Sequence, residues 1–226
     1  MFVIPRTSAS ASEQARRRFL ADGYAPLRGL LSPRGQADLR EEAARLEKVA
    51  RRRDFAMTCM DASPRHMTTL GGQVIAQESR IIPEAYADEG LRALLSALTG
   101  DEITGVPDQV ERHVLNILHR RGDTHGAHTD DYPYALVLFL EAPGAPDDGG
   151  LLEYVPRAAS LRDLDAPSVR AVHHRPGDAY LLRSDTTAHR VTPLARTGVR
   201  RTVVNFAYTT PYATRRPTPS ARELYA

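Results

Sequence analysis

His128, Thr129 and Asp130, with His189 further along, are the residues whose types and spacing can do chemistry. Extended chain puts residues two apart on one face, so His128 and Asp130 can aim at a single point. A second imidazole from a later strand would complete a set of two histidines and one carboxylate. That set leaves one face of an octahedral ferrous ion open for a cosubstrate and oxygen. In a chain with 8 histidines, His-x-Asp alone is a weak signal. Its surroundings strengthen it. His128 and Asp130 directly precede the apolar run Ala135 to Leu140, and His189 follows a turn, Arg175-Pro176-Gly177-Asp178, and another strand. Beyond His189 come Arg200 and Arg201. A buried guanidinium there could hold the far carboxylate of a dicarboxylate cosubstrate by two charge-assisted hydrogen bonds. The plain alternative, polar residues near loop ends, leaves that arginine spacing unexplained.

The elements that must position these residues fall into two textures. The first hundred residues read as helical. Ser12 to Leu20 can open a short helix, and Ser32-Pro33 supplies a cap and first-turn proline for a longer one running to about Arg53. Leu39, Ala43, Leu46 and Ala50 recur at helical steps and form its apolar stripe, and Arg51 to Arg53 decorate its solvated end. A third helix is expected from Asp88 to Leu98, stopped by Gly100. Between them, Met57 to Gln77 reads as an irregular loop, long enough to be a functional lid.

After Gly105 come short apolar or alternating runs: Val110 to His119, Ala135 to Glu141, Leu151 to Val155, Val169 to His173, Ala179 to Arg183 and Arg200 to Tyr208. Turn signals such as Arg121-Gly122-Asp123 and Asp147-Asp148-Gly149-Gly150 separate them. Helices followed by regularly spaced strands predict an α+β chain, mainly β with N-terminal helices around a jelly roll. We expect one domain over residues 1–226: a helical flank and lid loop over 1–105, a jelly-roll core over 106–211 and a tail over 212–226. The tail, Thr214 to Ala226, can drape over the site or hang loose.

Composition narrows the partners. The chain has 226 residues, 42 % of them hydrophobic, enough for one substantial core. With 30 basic against 28 acidic residues, and no basic stripe, nucleic acid is not an expected partner. Cys59 is the only cysteine, which excludes an internal disulfide and is compatible with a reducing compartment. No stretch reaches the length of a membrane span, so a cytoplasmic protein without membrane contact is expected.

The stretch Leu115 to Tyr208 resembles the Fe(II)/2-oxoglutarate-dependent oxygenases. It carries their His-x-Asp, Gly-Gly turn (Gly149, Gly150), Pro-Gly-Asp (Pro176 to Asp178), distal histidine and cosubstrate arginine. The resemblance implies a double-stranded β-helix core, Fe(II) held by His128, Asp130 and His189, and 2-oxoglutarate and O2 as cosubstrates. It assigns the cosubstrate arginine to Arg200, with the adjacent Arg201 as fallback, since one strand position reverses the face. His119 falls where many relatives hold a polar residue that contacts the cosubstrate.

Ser63-Pro64-Arg65-His66-Met67-Thr68, Thr124-His125-Gly126-Ala127-His128 and Asp131-Tyr132 look more narrowly like small oxygenases acting on free amino acids. That group includes radical halogenases of lysine and their hydroxylating relatives. In the halogenases a glycine replaces the carboxylate ligand and opens a site for chloride. Here Asp130 keeps the carboxylate, which disfavours halogenation and favours hydroxylation. The resemblance matches Arg65 to an α-carboxylate anchor. It matches Glu111, His125 and Asp131 to positions around substrate amino groups, and Asn205 is a further contact candidate. One cation and two carboxylates suit a basic amino acid such as lysine or ornithine. Alternatives are a hydroxylase of a carrier-tethered or peptidyl residue, a non-catalytic jelly-roll binding module, and a zinc hydrolase, whose sites usually favour other ligand sets.

Overall fold

The structure is a computed structural model describing residues 1–4, 9–212 and 219–225. Helix α1 (Ala9–Asp22) leads into strand β1 (Tyr24–Leu27), then α2 (Pro33–Leu46). Ser32 caps α2, its Oγ accepting from the Gly35 N–H at 3.0 Å, and Leu39, Ala43 and Leu46 form its buried face. The expected extension to Arg53 does not occur. A short 3-10 turn over Glu47–Val49 ends the helix, and the arginine run enters β2 (Arg51–Met57). Tertiary pairing overrides helix propensity there: β2 lies antiparallel to β3 (Ser63–Leu70) along seven residue pairs.

That strand is the second correction. The segment from Met57 to Gln77 is not an irregular loop, because β3 also pairs with two core strands, β5 (His113–Leu118) and β6 (Thr124–His128). Its Ser, Arg, His and Thr residues hide the strand from an apolar-run reading. After β3 the chain forms α3 (Gly72–Glu78), α4 (Ile81–Tyr86), α5 (Glu89–Thr99) and the two-residue β4 (Thr104–Gly105). Helix α5 matches its expectation: Asp88 caps the start and Gly100, at φ 79°, closes the end in the left-handed region.

The remaining strands are β7 (Tyr134–Glu141), β8 (Leu152–Val155), β9 (Arg170–Val172), β10 (Ala179–Arg183), β11 (Ala188–Val191) and β12 (Arg201–Thr209). A short helix, α6 (Ser220–Tyr225), ends the described chain. Strand order runs β1-β10-β7-β12-β5-β3-β6-β11-β8-β9, a curled antiparallel sheet that folds over itself as a double-stranded β-helix. Among the described residues no helix is long and apolar enough to cross a membrane.

Strand parity sorts the core. On β7, Leu136, Leu138 and Leu140 face the helices, while Val137 and Phe139 face the interior of the roll. On β12, Val204, Phe206 and Tyr208 pack under the helices, and Val203 points inward. The interior side of these strands, between the two layers of the roll, is where the polar constellation lies.

Candidate metal and substrate site

His189 stands opposite His128 across the β11–β6 pair, and both side chains are buried in the roll. His128 Nδ1 sits 2.7 Å from the Gly126 carbonyl and His189 Nδ1 sits 2.9 Å from the Thr187 carbonyl. Each ring therefore donates from Nδ1 and turns Nε2 towards Asp130, whose Oδ1 lies 3.6 Å from one and 3.9 Å from the other. Asp130 is not on the strand, as the i, i+2 argument assumed. Strand β6 ends at His128, and the Asp130 N–H is held by the Ser184 carbonyl at 2.9 Å.

The donor atoms of His128, Asp130 and His189 all lie within 4.8 Å of one another. Burial pushes the His128 imidazole well below its ordinary pKa, which keeps it neutral and able to bind metal. The same burial raises the Asp130 carboxyl. Oriented Nδ1–H groups, a neutral imidazole and one carboxylate are what a ferrous ion with open positions requires. The residues fit the ion.

Two arginines flank this set. Arg201 begins β12 with the inward parity of Val203 and is 3 % exposed. Its guanidinium lies over the Phe139 ring at 4.9 Å, interacts with the Tyr180 hydroxyl, and forms no ion pair among the described residues. Arg200 has the opposite parity. It reaches Glu47 at 2.8 Å and Glu141 at 3.1 Å on the helical side, away from the triad. Of the two arginines singled out in the sequence, Arg201 lines the cavity beside the triad and Arg200 does not. His119 lies on the same side as Arg200: it follows Leu115 and Ile117 in parity and lies 3.9 Å from Glu47.

Arg65, on β3, is 1 % exposed and makes no ion pair among the described residues. Its Nη1 donates to the Ser63 hydroxyl at 2.7 Å and the Pro64 carbonyl at 3.0 Å, and its Nε has no partner. Burial lowers its pKa to about 10. Arg65, Glu111, His125 and Asp131 line one cavity together with His128 and Asp130. Asn205 lines an adjoining one with His189 and Arg201. Glu111 carries a buried, unpartnered Oε1, and burial, then the Asp131 and Asp130 charges, raise its pKa to about 8.

His125 reaches the site although its parity differs from that of His128. The β6–β11 register shifts between the His189–His128 and Val191–His125 pairs, a bulge that turns both rings inward. They stack at 4.1 Å between centroids. Gly126 inside the bulge has no room for a side chain, since a Cβ would come within 2.6 Å of the Pro64 carbonyl oxygen.

Sequence reasoning missed Asn116, Tyr180 and Tyr225, which line the cavity around His189 and Arg201. The parity of Tyr180 with Leu182, both in the interior cluster, was a usable signal. Tyr225 had none beyond its place in the tail. It comes from α6, lines both cavities and interacts with Asn116. With Tyr225 in place each cavity measures about 40 Å3, room for little more than water. Of the tail, residues 214–218 and 226 lie outside the described residues.

Among solved structures, the chain is similar to the non-haem α-ketoglutarate-dependent epimerase SnoN from nogalamycin biosynthesis, with 18 % identity, 93 % of this chain and 87 % of that one covered, and TM-score 0.72. HygX from Streptomyces hygroscopicus, with nickel and 2-oxoglutarate bound, is 16 % identical, with 89 % and 88 % covered and TM-score 0.63. An oxidoreductase of the 2OG-Fe(II) oxygenase family from Burkholderia pseudomallei is 14 % identical, with 96 % and 98 % covered and TM-score 0.68. At these identities the likeness shows a shared fold. No curated protein matches the chain. A family model described as halogenase D, HalD, matches residues 7–224. By that match, over nearly its whole length, the chain belongs to the halogenase D family.

Proposed function

We propose that this protein is a non-haem Fe(II)- and 2-oxoglutarate-dependent hydroxylase of a free amino acid, with a basic one such as lysine fitting best. The observation that carries the reading is a His128–Asp130–His189 set, its two imidazoles buried, flanked by two guanidinium groups, Arg65 and Arg201, that have no carboxylate partner among the described residues. A buried cation without a counter-charge is costly, and an incoming carboxylate relieves that cost. Two such cations suit two carboxylates, one on the cosubstrate and one on the substrate.

In this reading His128, Asp130 and His189 hold the iron, which with 2-oxoglutarate and O2 supplies the power to hydroxylate an unactivated C–H bond, releasing succinate and carbon dioxide. Arg201, steadied by Tyr180 and Phe139, binds the distal carboxylate of 2-oxoglutarate, and Asn205 lines the same pocket. Arg65 takes the α-carboxylate of the amino acid. Glu111 and Asp131 receive ammonium, and His125, which burial keeps neutral, can accept a hydrogen bond from it. Anchoring both ends of the substrate selects one carbon by position. Tyr225 and α6 then act as the lid that keeps water out. One sheet, with the loops at its strand ends and α6 laid against it, gathers these groups, which supports reading residues 1–226 as a single working domain.

Although the family is described as halogenases, Asp130 supports hydroxylation here. Its carboxylate fills the position that a halide would need to occupy. The test is mass spectrometry of free amino acids incubated with purified protein, ferrous iron, 2-oxoglutarate and air. A gain of one oxygen on a basic amino acid, with succinate formed, is expected. No succinate with any free amino acid would overturn the substrate class. Turnover of an amino acid but not of its amide would separate the free substrate from a tethered one.

A further inference from the structure

A separate cavity, of about 350 Å3, opens on the helical side between α3, α4, α5 and the turn that precedes β5. Arg92, Arg112 and His113 line it. Arg92 and Arg112 are half-buried and, among the described residues, neither forms an ion pair. Their described hydrogen bonds go to main-chain carbonyls: Arg92 Nη2 to Ala87 at 2.8 Å, and Arg112 Nε and Nη2 to Val106 at 3.3 and 3.1 Å. Those bonds steer the guanidinium groups and leave further N–H donors unused. Arg92 Nε is buried and unpartnered. His113 is 2 % exposed, and its Nδ1 is buried without a partner.

Gly72 packs its backbone closely against this wall: a Cβ there would lie 2.1 Å from the Gln109 carbonyl oxygen and 3.1 Å from His113 Nδ1. Both guanidinium groups act electrostatically on the hydroxyl of Tyr86, which also lines the cavity. Pro83 and Ala76 add apolar surface. The proposed hydroxylation uses none of these groups.

We infer that this cavity is a binding site for a small organic oxyanion, a carboxylate or phosphate monoester on a compact apolar body, distinct from the jelly-roll site. The volume falls in the range of small-molecule sites. Two guanidinium forks match an oxyanion in charge and shape, and a neutral His113 adds a hydrogen bond without further positive charge. The apolar wall takes the body of the ligand.

The test is calorimetric titration of the full-length, metal-free protein with benzoate and with phenyl phosphate, using benzamide as an uncharged counterpart. Saturable binding of at least one oxyanion is expected, at least tenfold tighter than benzamide. The tighter of the two anions identifies the head group. In the unaltered protein the His113 ring resonances shift during the same titration. Arg92→Gln/Arg112→Gln weakens binding at least tenfold, and Arg201→Gln leaves it unchanged. Equal binding of benzamide, unmoved His113 resonances, or loss of binding in Arg201→Gln instead would overturn the site. Because no readout uses iron or turnover, its failure is separable from failure of the hydroxylase reading.

Discussion

His128 and His189 sit opposite one another across β6 and β11, with ring centroids 4.0 Å apart and planes tilted by 49°, and each ties Nδ1 to the carbonyl two residues before it. This matched arrangement fixes the tautomer of both rings and commits Nε2 of each to one point beside Asp130. Replacing His189 with Ala, or Asp130 with Gly, removes one of three donors. Ferrous-iron affinity should fall by more than the roughly 10- to 100-fold that follows loss of an outer-shell partner. Titration of iron into each metal-free variant measures this. Asp130→Gly should lose hydroxylation and gain no chlorinated product from added chloride, since a halide needs supporting contacts too; mass spectrometry reads both.

The neighbouring pair Arg200 and Arg201 gives a sharper contrast. Arg201→Gln removes a charge-assisted contact of about 1.5–3 kcal/mol, so KM for 2-oxoglutarate should rise roughly ten- to hundredfold. Arg200→Gln breaks pairs with Glu47 and Glu141 that are about one-third exposed. It should leave that KM within twofold and cost at most about 1 kcal/mol in denaturant unfolding. Reversed outcomes would return the cosubstrate to Arg200.

Glu111 sets a pH dependence. With its pKa raised to about 8 by burial and neighbouring carboxylates, it is largely protonated at pH 7 before substrate arrives. An ammonium group needs the ionised form. KM for a diamino substrate should therefore fall as pH rises towards 8 and level off above it, and Glu111→Gln should abolish that slope. Stability moves the other way. Between the ordinary 4.5 and about 8 the folded protein keeps a proton that the unfolded chain has released, so Glu111 makes the metal-free protein less stable as pH climbs through that window. Denaturant midpoints at intervals from pH 5 to 9 should show the decline, flattened in Glu111→Gln.

Tyr225 closes both small cavities from α6. Tyr225→Ala opens the site to water, so succinate formed without hydroxylated product should increase several-fold, while the melting temperature changes little. Unchanged coupling between succinate and product would remove the lid role.

The buried ring of Phe206 packs between Tyr86 and the strands beneath the helices. Phe206→Ala should destabilise by about 3–5 kcal/mol through lost burial and the cavity left behind. The guanidinium unfolding midpoint checks it.

The residues themselves determined a good deal. Ser32-Pro33 and the Asp88…Gly100 pair marked helix ends because caps are local chemistry, read from a few adjacent positions. Apolar runs such as Ala135 to Glu141 announced β7, and His128, Asp130 and His189 announced by type and order a set that could hold a metal ion. Strand β3 was illegible because it spends its inward positions on Arg65 and Thr69 rather than on aliphatic side chains. Parity could have excluded His119, which shares a face with Leu115 and Ile117, but only once the start of β5 was known. Other features had no local trace. The bulge that turns His125 inward, the loop that brings Asp130 to two imidazoles, and the seat of Tyr225 arise from contacts between segments far apart in the chain. Residue type fixes what a side chain can bind; register and bulges decide which way it faces, because one step along a strand reverses the direction and only pairing with distant strands sets that step.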